Sequence, residues 1–336
     1  MLVTRQKVLR RFWYPVMPMA MLEDGPKPFT LLGEAIVLFK GAEGKPVALA
    51  DRCCHRTAQL SRGFVEDGNI VCGYHGWTYD CTGRCVRIPQ NTDAAIPANA
   101  KVPAYHCESR YGYAWVALED PLMPIFELTE AGDPGYRQID QFYEVWNCAG
   151  LRLMENSFDM AHLSFTHKGT FGPKNHVPRK MTMDVSDWGL ETYVETPVTN
   201  PAIARSVVGS DAEETVRIMR GTWFLPFSRR LAISYPNGVR HTIITNATPI
   251  DDGSSMVVQW CYRSDSEDEV PAKDIIAFDR AVTNEDKYIL ESTDYDACID
   301  TTRRVEFHMD SDRPGLVMRE KLLKLLRAHG EDEVHG

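Results

Sequence analysis

The sequence predicts an α+β protein with two domains, and three features carry that expectation. The first third is cut into short β-type runs by turn residues. The stretch from about 180 to 264 is a second series of alternating or β-branched runs. Beyond it come amphipathic patterns of helical period, at 272–293 and through Met318, Leu322, Leu325 and Leu326. The boundary is expected near residue 120, giving domains 1–120 and 121–336.

Taken in order, IVLFK at 36–40 and PVALAD at 46–51 flank Gly41-Ala42-Glu43-Gly44, a hairpin signal. NIVCGYHGWTYD at 69–80 follows, and Asp80-Cys81-Thr82-Gly83 reads as a turn into RCVRIPQ. YGYAWVAL at 111–118 is the last strand of this series; Pro121 and Pro124 punctuate what comes next. Residues 152–166 have a helical pattern with a rough apolar stripe of Leu153, Phe158, Ala161 and Phe165, ended by Gly169, Gly172 and Pro173. LAISY, RHTIITNATP and SMVVQWCYR read as strands, with turns at Asn237-Gly238 and Asp251-Asp252-Gly253. In the long helix, Ile275, Phe278, Val282 and Ile289 share one side. No internal repeat or low-complexity tract is present.

The composition is close to that of an average globular protein, with 43% apolar and 25% charged residues in a chain of 336. With 37 basic against 47 acidic residues and a net charge of −10, there is no basic stripe, and no nucleic-acid partner is expected. The basic N-terminus lacks an apolar core of signal-peptide length, and no run of eighteen apolar residues occurs. No membrane association is expected, and the cytoplasm is the expected address. Nine cysteines without an export signal point to free thiols and metal ligands rather than a disulfide framework.

Two boxes hold the chemistry. Cys53-Cys54-His55-Arg56 and Cys72-Gly73-Tyr74-His75-Gly76-Trp77 each offer one thiolate and one imidazole, sixteen residues apart. Two cysteines on one iron and two histidines on the other is the ligand set of a Rieske 2Fe-2S centre, a one-electron carrier. A structural zinc site also takes two cysteines and two histidines, but its spacing usually separates the two kinds. Cys53, His55, Cys72 and His75 are therefore the expected cluster ligands. Cys54 is expected to be a small buried residue, and Cys81, Cys85, Cys107, Cys148, Cys261 and Cys298 to be plain packing residues.

A second constellation lies in ENSFDMAHLSFTH, residues 155–167. Asp159 and His162 share a face at three-residue spacing, but His167 is rotated away on a regular helix. Both imidazoles can reach one metal only if the helix distorts or ends between them. A non-heme Fe(II) oxygenase site needs two histidines and one carboxylate, with positions left open. Asp286, on the same side of the long helix as Val282 and Ile289, is the expected carboxylate, because an acid on an apolar face needs a partner. Glu285 is its main competitor; Glu291 and Asp294 are expected to be solvated.

Together these residues resemble the oxygenase α-subunits of Rieske non-heme iron aromatic-ring-hydroxylating oxygenases, over nearly the whole chain. Its length and its NEDKYILES helix resemble the single-component monooxygenase and demethylase group. The resemblance implies an N-terminal Rieske β-domain. It also implies a helix-grip (START-like) catalytic domain, with a curved antiparallel sheet around a long C-terminal helix. It implies iron ligands His162, His167 and Asp286, with Asn156 close behind them. Asp159 matches an acid that bridges a cluster histidine, here His75, to His162 across subunits of a ring-shaped homotrimer. Respiratory Rieske proteins staple their cluster loops with a disulfide; Ala58 and Tyr74 occupy those positions here, which points to a potential on the order of −150 mV.

The implied function is O2-dependent hydroxylation or oxidative demethylation of a small, aromatic or cyclic substrate, as in aromatic catabolism. No G-x-G-x-x-G fingerprint is present, so NAD(P)H is expected to act only through a separate reductase, with or without a ferredoxin. Ring cis-dihydroxylation is the alternative chemistry. An electron carrier and a zinc-stabilised small-molecule binder are the non-enzymatic alternatives. Trp223, Phe224, Leu225, Phe227 and Trp260 are candidate pocket liners.

Overall fold

The computed structural model describes residues 1–91 and 93–336. The chain forms two compact units. One takes Val3–Ile125 with Thr248–Asp252; the other takes Met1–Leu2, Phe126–Ala247 and Gly253–Gly336.

The first unit is all β. Its strands are β1 (Tyr14–Pro18), β2 (Lys27–Leu31), β3 (Glu34–Lys40), β4 (Pro46–Ala50), β5 (Phe64–Glu66), β6 (Asn69–Val71), β7 (Thr78–Tyr79), β8 (Cys85–Arg87), β9 (Ala104–Arg110) and β10 (Tyr113–Ala117). They make a six-stranded sheet in the order β1-β10-β9-β4-β3-β2 and a four-stranded sheet β5-β6-β7-β8. The expected hairpin is present, with Lys40 opposite Pro46 and Ile36 opposite Ala50. Val37 and Phe39 of β3 and Leu49 of β4 pack in one apolar cluster with Cys53, Cys72 and Tyr79. Alternation along the strands thus creates the wall on which the two ligand boxes are mounted.

The second unit holds β11 (Arg137–Trp146), α1 (Gly150–Ser157), α2 (Leu163–Thr166), β12 (Thr182–Ser186), β13 (Gly189–Thr199), α3 (Ala202–Val208), β14 (Glu214–Phe224), β15 (Ser228–Ser234), β16 (Arg240–Pro249), β17 (Ser255–Arg263), α4 (Ala272–Leu290) and α5 (Arg313–Ala328). Seven strands form one sheet in the order β11-β17-β16-β15-β14-β13-β12. Strands β12 to β17 follow one another as a meander, and β11 joins at the β17 edge. The long helix α4 lies against this sheet: Ile275 and Phe278 are buried with Val194, Met219, Ile233 and Cys261. In α5, Met318, Leu322, Leu325 and Leu326 are all buried, as their spacing predicts.

Two expectations about the helices need correction. Ile289 is 46% exposed, and Leu290 takes the buried place at the end of α4. Residues 152–166 are not one helix: α1 stops at Ser157 and α2 begins at Leu163. Asp159 causes the restart, because its carboxylate accepts from the backbone N–H groups of Ala161 (2.6 Å) and His162 (3.2 Å). No helix among the described residues is long and apolar enough to cross a membrane.

Candidate active site

The two ligand boxes fold into matching loops. In the first, Cys53 N–H donates to Ala58 C=O (2.8 Å) and Thr57 N–H to Cys53 C=O (3.0 Å). In the second, Cys72 N–H donates to Trp77 C=O (2.9 Å) and Gly76 N–H to Cys72 C=O (2.9 Å). Both thiols are buried, and the rings of His55 and His75 stand 4.7 Å apart at 65°. Trp77 stacks on His55 at 4.5 Å. The loops approach so closely that a Cβ on Gly63 would meet the Val71 carbonyl oxygen at 1.9 Å, and one on Gly73 the Arg62 oxygen at 2.7 Å.

The donors fit a 2Fe-2S cluster. His55 Nδ1 is buried with no hydrogen-bond partner, an orphan that a metal would satisfy. Burial pushes the Cys72 thiol pKa up, and metal binding is what converts such a thiol to thiolate. The Tyr79 hydroxyl lies 3.0 Å from Cys53 Sγ and 3.3 Å from Cys54 Sγ. Among the described residues, three sets of candidate ligands close to within 4.8 Å of one another, and none is drawn from these loops. That spread speaks against a single tetrahedral zinc. Cys54 is exposed rather than buried, because Cys53 fills the core position of this loop. All nine cysteines are free.

The second constellation sits between α2 and α4. His162 and His167 flank α2 as its N-cap and C-cap residues, and because the helix ends before His167 both imidazoles converge: His162 Nε2 and His167 Nε2 are 3.2 Å apart. Asp286 Oδ1 lies 3.6 Å from the first and 3.3 Å from the second. The centre of a triangle with these sides is about 2 Å from every corner, the length of a bond from a transition metal to imidazole or carboxylate. Three donors that crowd each other this closely fit a metal between them. Burial opposes the charge on Asp286, but hydrogen bonding to His167 and the fields of both imidazoles and Arg229 hold its pKa below the usual carboxylate range.

The surroundings orient each donor. Asn156 Nδ2 donates to Asp286 Oδ1 at 3.3 Å. His167 Nδ1 faces Glu285 Oε2 at 3.0 Å, and Thr170 Oγ1 donates to the same oxygen at 2.7 Å. This fixes the tautomer with the proton on Nδ1 and the Nε2 lone pair turned toward Asp286. Phe171 stacks on the His167 ring at 4.7 Å. The Asp159 carboxylate is 3.5 Å from His162 Nδ1, which has no hydrogen-bond partner of its own. The structure therefore brings His162, His167 and Asp286 together, sets Asn156 and Asp159 beside them, and puts Glu285 behind His167.

His162, His167, Asp286, Asn156 and Asp159 line a cavity between α4 and the sheet. Its apolar walls include Leu163, Phe171, Met219, Ile233 and Phe278; its polar lining includes Arg217 and Gln259. The five proposed liners are not among the residues that bound it. Trp223, Leu225, Phe227 and Trp260 are buried in the core, and the Trp223 indole donates to the Pro226 carbonyl at 3.0 Å. The residues of β14 that bound the cavity are Arg217, Met219 and Gly221, not those at the strand's end.

Comparison with known proteins agrees with both halves. The Rieske (2Fe-2S) domain family matches residues 12–106, and the vanillate O-demethylase oxygenase C-terminal domain family matches residues 146–328. Methylxanthine N1-demethylase NdmA of Pseudomonas putida is 32% identical over 97% of this chain and 92% of its own. The chain belongs to the Rieske non-heme iron oxygenases. Methylxanthine N3-demethylase NdmB of the same organism is 31% identical over 84% of this chain and 81% of its own. The solved structure of P. putida NdmA with caffeine superposes with a TM-score of 0.82 at 29% identity, covering 99% of this chain and 98% of that one. Dicamba monooxygenase, at 20% identity and a TM-score of 0.81, shares the fold. This Rieske oxygenase is an oxidoreductase whose cofactors are a 2Fe-2S cluster and a mononuclear iron, with O2 as co-substrate.

Proposed function

We propose that this chain is the terminal oxygenase of a system that demethylates or hydroxylates a small cyclic substrate. In this reading Cys53, His55, Cys72 and His75 hold the cluster, and His162, His167 and Asp286 hold the iron. The observation that carries it is the triangle of two Nε2 atoms and one carboxylate oxygen in the wall of a largely apolar cavity. A bound iron there supplies reductive O2 activation, with electrons drawn from the cluster.

The protein's own residues do the positioning. Glu285 and Thr170 keep His167 in one tautomer, and Asn156 keeps one Asp286 oxygen directed at the imidazoles. Met219, Phe171 and Phe278 exclude water and hold an apolar ring with its reacting C–H toward the triangle. Hydroxylation of an N- or O-methyl carbon leaves a hemiaminal or hemiacetal that collapses with loss of formaldehyde. The reductants are NAD(P)H and a separate reductase, with a ferredoxin between them in some systems. The working assembly is a homotrimer in which Asp159 links the cluster of one subunit to the iron of the next, and the setting is the cytoplasm.

Purified protein with a surrogate reductase, NADH and a panel of N-methyl and O-methyl ring compounds tests this. Substrate-dependent O2 uptake, formaldehyde and about three irons per chain are expected. Cluster iron alone, without substrate-dependent uptake, would leave only an electron carrier; a colourless zinc protein would leave only a binder. A product with two added hydroxyls would move the assignment to ring dihydroxylation.

A further inference from the structure

Among the described residues, Arg217 is a buried cation in no ion pair, with Asp279 near enough for its charge to act on it. It occupies an inward position of β14, in register with Thr196, and is 2% exposed. Arg263 and Arg319 are as deeply buried, at 0% and 3%, but each has carboxylate partners: Asp265 for the first, Glu155 and Glu306 for the second. Among the described residues Arg217 makes no ion pair, and its Nε and Nη2 have no hydrogen-bond partner. Burying an ionised group without a partner is costly, so one at a cavity wall needs an explanation.

Its surroundings hold the guanidinium without satisfying it. Cζ lies 4.9 Å from the Phe171 ring centre, 5.5 Å from that of Tyr235 and 5.8 Å from that of Phe278. Rings attract its charge but leave its edge unpaired. Nε and Nη2 lie on one edge of the guanidinium, the pair of donors that grips a carboxylate side-on with two parallel hydrogen bonds. The nearby acids are otherwise engaged. Asp279 is 3.2 Å from His241 Nε2 and accepts from Gln141, and Asp286 belongs to the metal triangle. The cavity's other arginine, Arg229, differs: its Nε donates to Thr245 Oγ1 at 3.3 Å.

Phe171 ties Arg217 to the metal triangle along the cavity wall. Phe171 stacks on His167 at 4.7 Å, and Arg217 lies over Phe171 at 4.9 Å. The guanidinium is therefore within about 10 Å of the His167 ring, and both line the same cavity. From this we infer that Arg217 is the anchor for an anionic group, so that the substrate is a cyclic carboxylate. This rests on the iron position proposed above, but its test does not require turnover.

The test is anaerobic calorimetric titration of the cluster- and iron-loaded protein, without reductant, using aromatic carboxylates and their matched amides: 4-methoxybenzoate against 4-methoxybenzamide, and N-methylated bicyclic acids against their amides. The carboxylates should bind roughly tenfold to a hundredfold more tightly, the worth of a desolvated bidentate contact. Arg217→Met should erase that preference. Arg217→Lys, which keeps the charge but not the fork and guards against a folding defect, should reduce it several-fold. Equal binding of acid and amide by the wild type, binding of no panel member, or an undiminished preference in either variant overturns the inference. Anion selectivity without turnover would instead count against the oxygenase reading alone.

Discussion

Replacing Glu285 by Gln decides which of two neighbouring carboxylates serves the metal. Glu285 and Asp286 are adjacent on α4, but they address opposite sides of the same imidazole: Glu285 meets Nδ1 of His167 at 3.0 Å, and Asp286 approaches Nε2 at 3.3 Å. Glu285 should therefore act through His167. A hydrogen bond to a charged group contributes about 1.5–3 kcal/mol. At 1.4 kcal/mol per factor of ten, its loss weakens Fe(II) binding by roughly tenfold to a hundredfold. Glu285→Gln keeps an acceptor and should fall at the lower end; Glu285→Ala should fall at the upper end. Asp286→Asn removes the carboxylate charge at the metal itself and should cost more than either. Chelator competition under nitrogen gives the iron affinity, and the cluster absorbance serves as an internal standard that none of the three should alter. Iron loss in Glu285→Gln as complete as in Asp286→Asn would show that the ligand had been misassigned. Unchanged affinity in Glu285→Ala would show that the contact does nothing.

Further expectations follow from the same geometry. Asp159→Asn should leave cluster and iron in place yet slow product formation by at least about tenfold, since an outer partner of a metal-binding histidine is altered; near-normal turnover with full metal content would refute it. Gly63→Ala would push a methyl into the Val71 carbonyl oxygen, 1.9 Å away, so its cluster absorbance should be lost on purification while wild-type protein keeps it. Gly169→Ala would instead meet the flexible end of Glu285 at 2.7 Å; its melting temperature should barely change, but its iron affinity should fall as in Glu285→Gln. Burial raises the pKa of Glu306, but Arg152 and Arg319 overcome this and hold it at about 2. Because the folded value is depressed, this carboxylate's contribution is full above the ordinary glutamate range and is lost as pH falls toward 2. Wild-type stability should fall across that window, and Glu306→Gln should flatten this part of a urea-midpoint profile.

What was legible in the sequence follows from how local each constraint is. The cluster boxes are contiguous, their residue types are dictated by ligand chemistry, and the glycines beside them mark loops that touch. Asp286 could be found because a helix projects its periodicity faithfully, and an acid on the Val282 side stood out. An end of the helix before His167 was required by geometry, and α2 stops at Thr166, but the earlier break after Ser157 went unread. The signal was Asp159 itself, a residue that caps the N–H groups two and three positions on. The cavity was the least legible part. Alternation along TVRIMRGTWF puts residues 217, 219, 221 and 223 on one face, but only the tertiary packing decides which of the four meet the cavity and which lie in the core. The large aromatics drew attention because they bury the most area, and for that reason they ended in the core. The informative residue was the charge on the inward face. Val216 and Ile218 point outward, at 52% and 36% exposure, while Arg217 between them points in. In a strand of that parity an arginine contradicts its apolar neighbours Met219 and Trp223, and a local contradiction of this kind is where binding is to be sought.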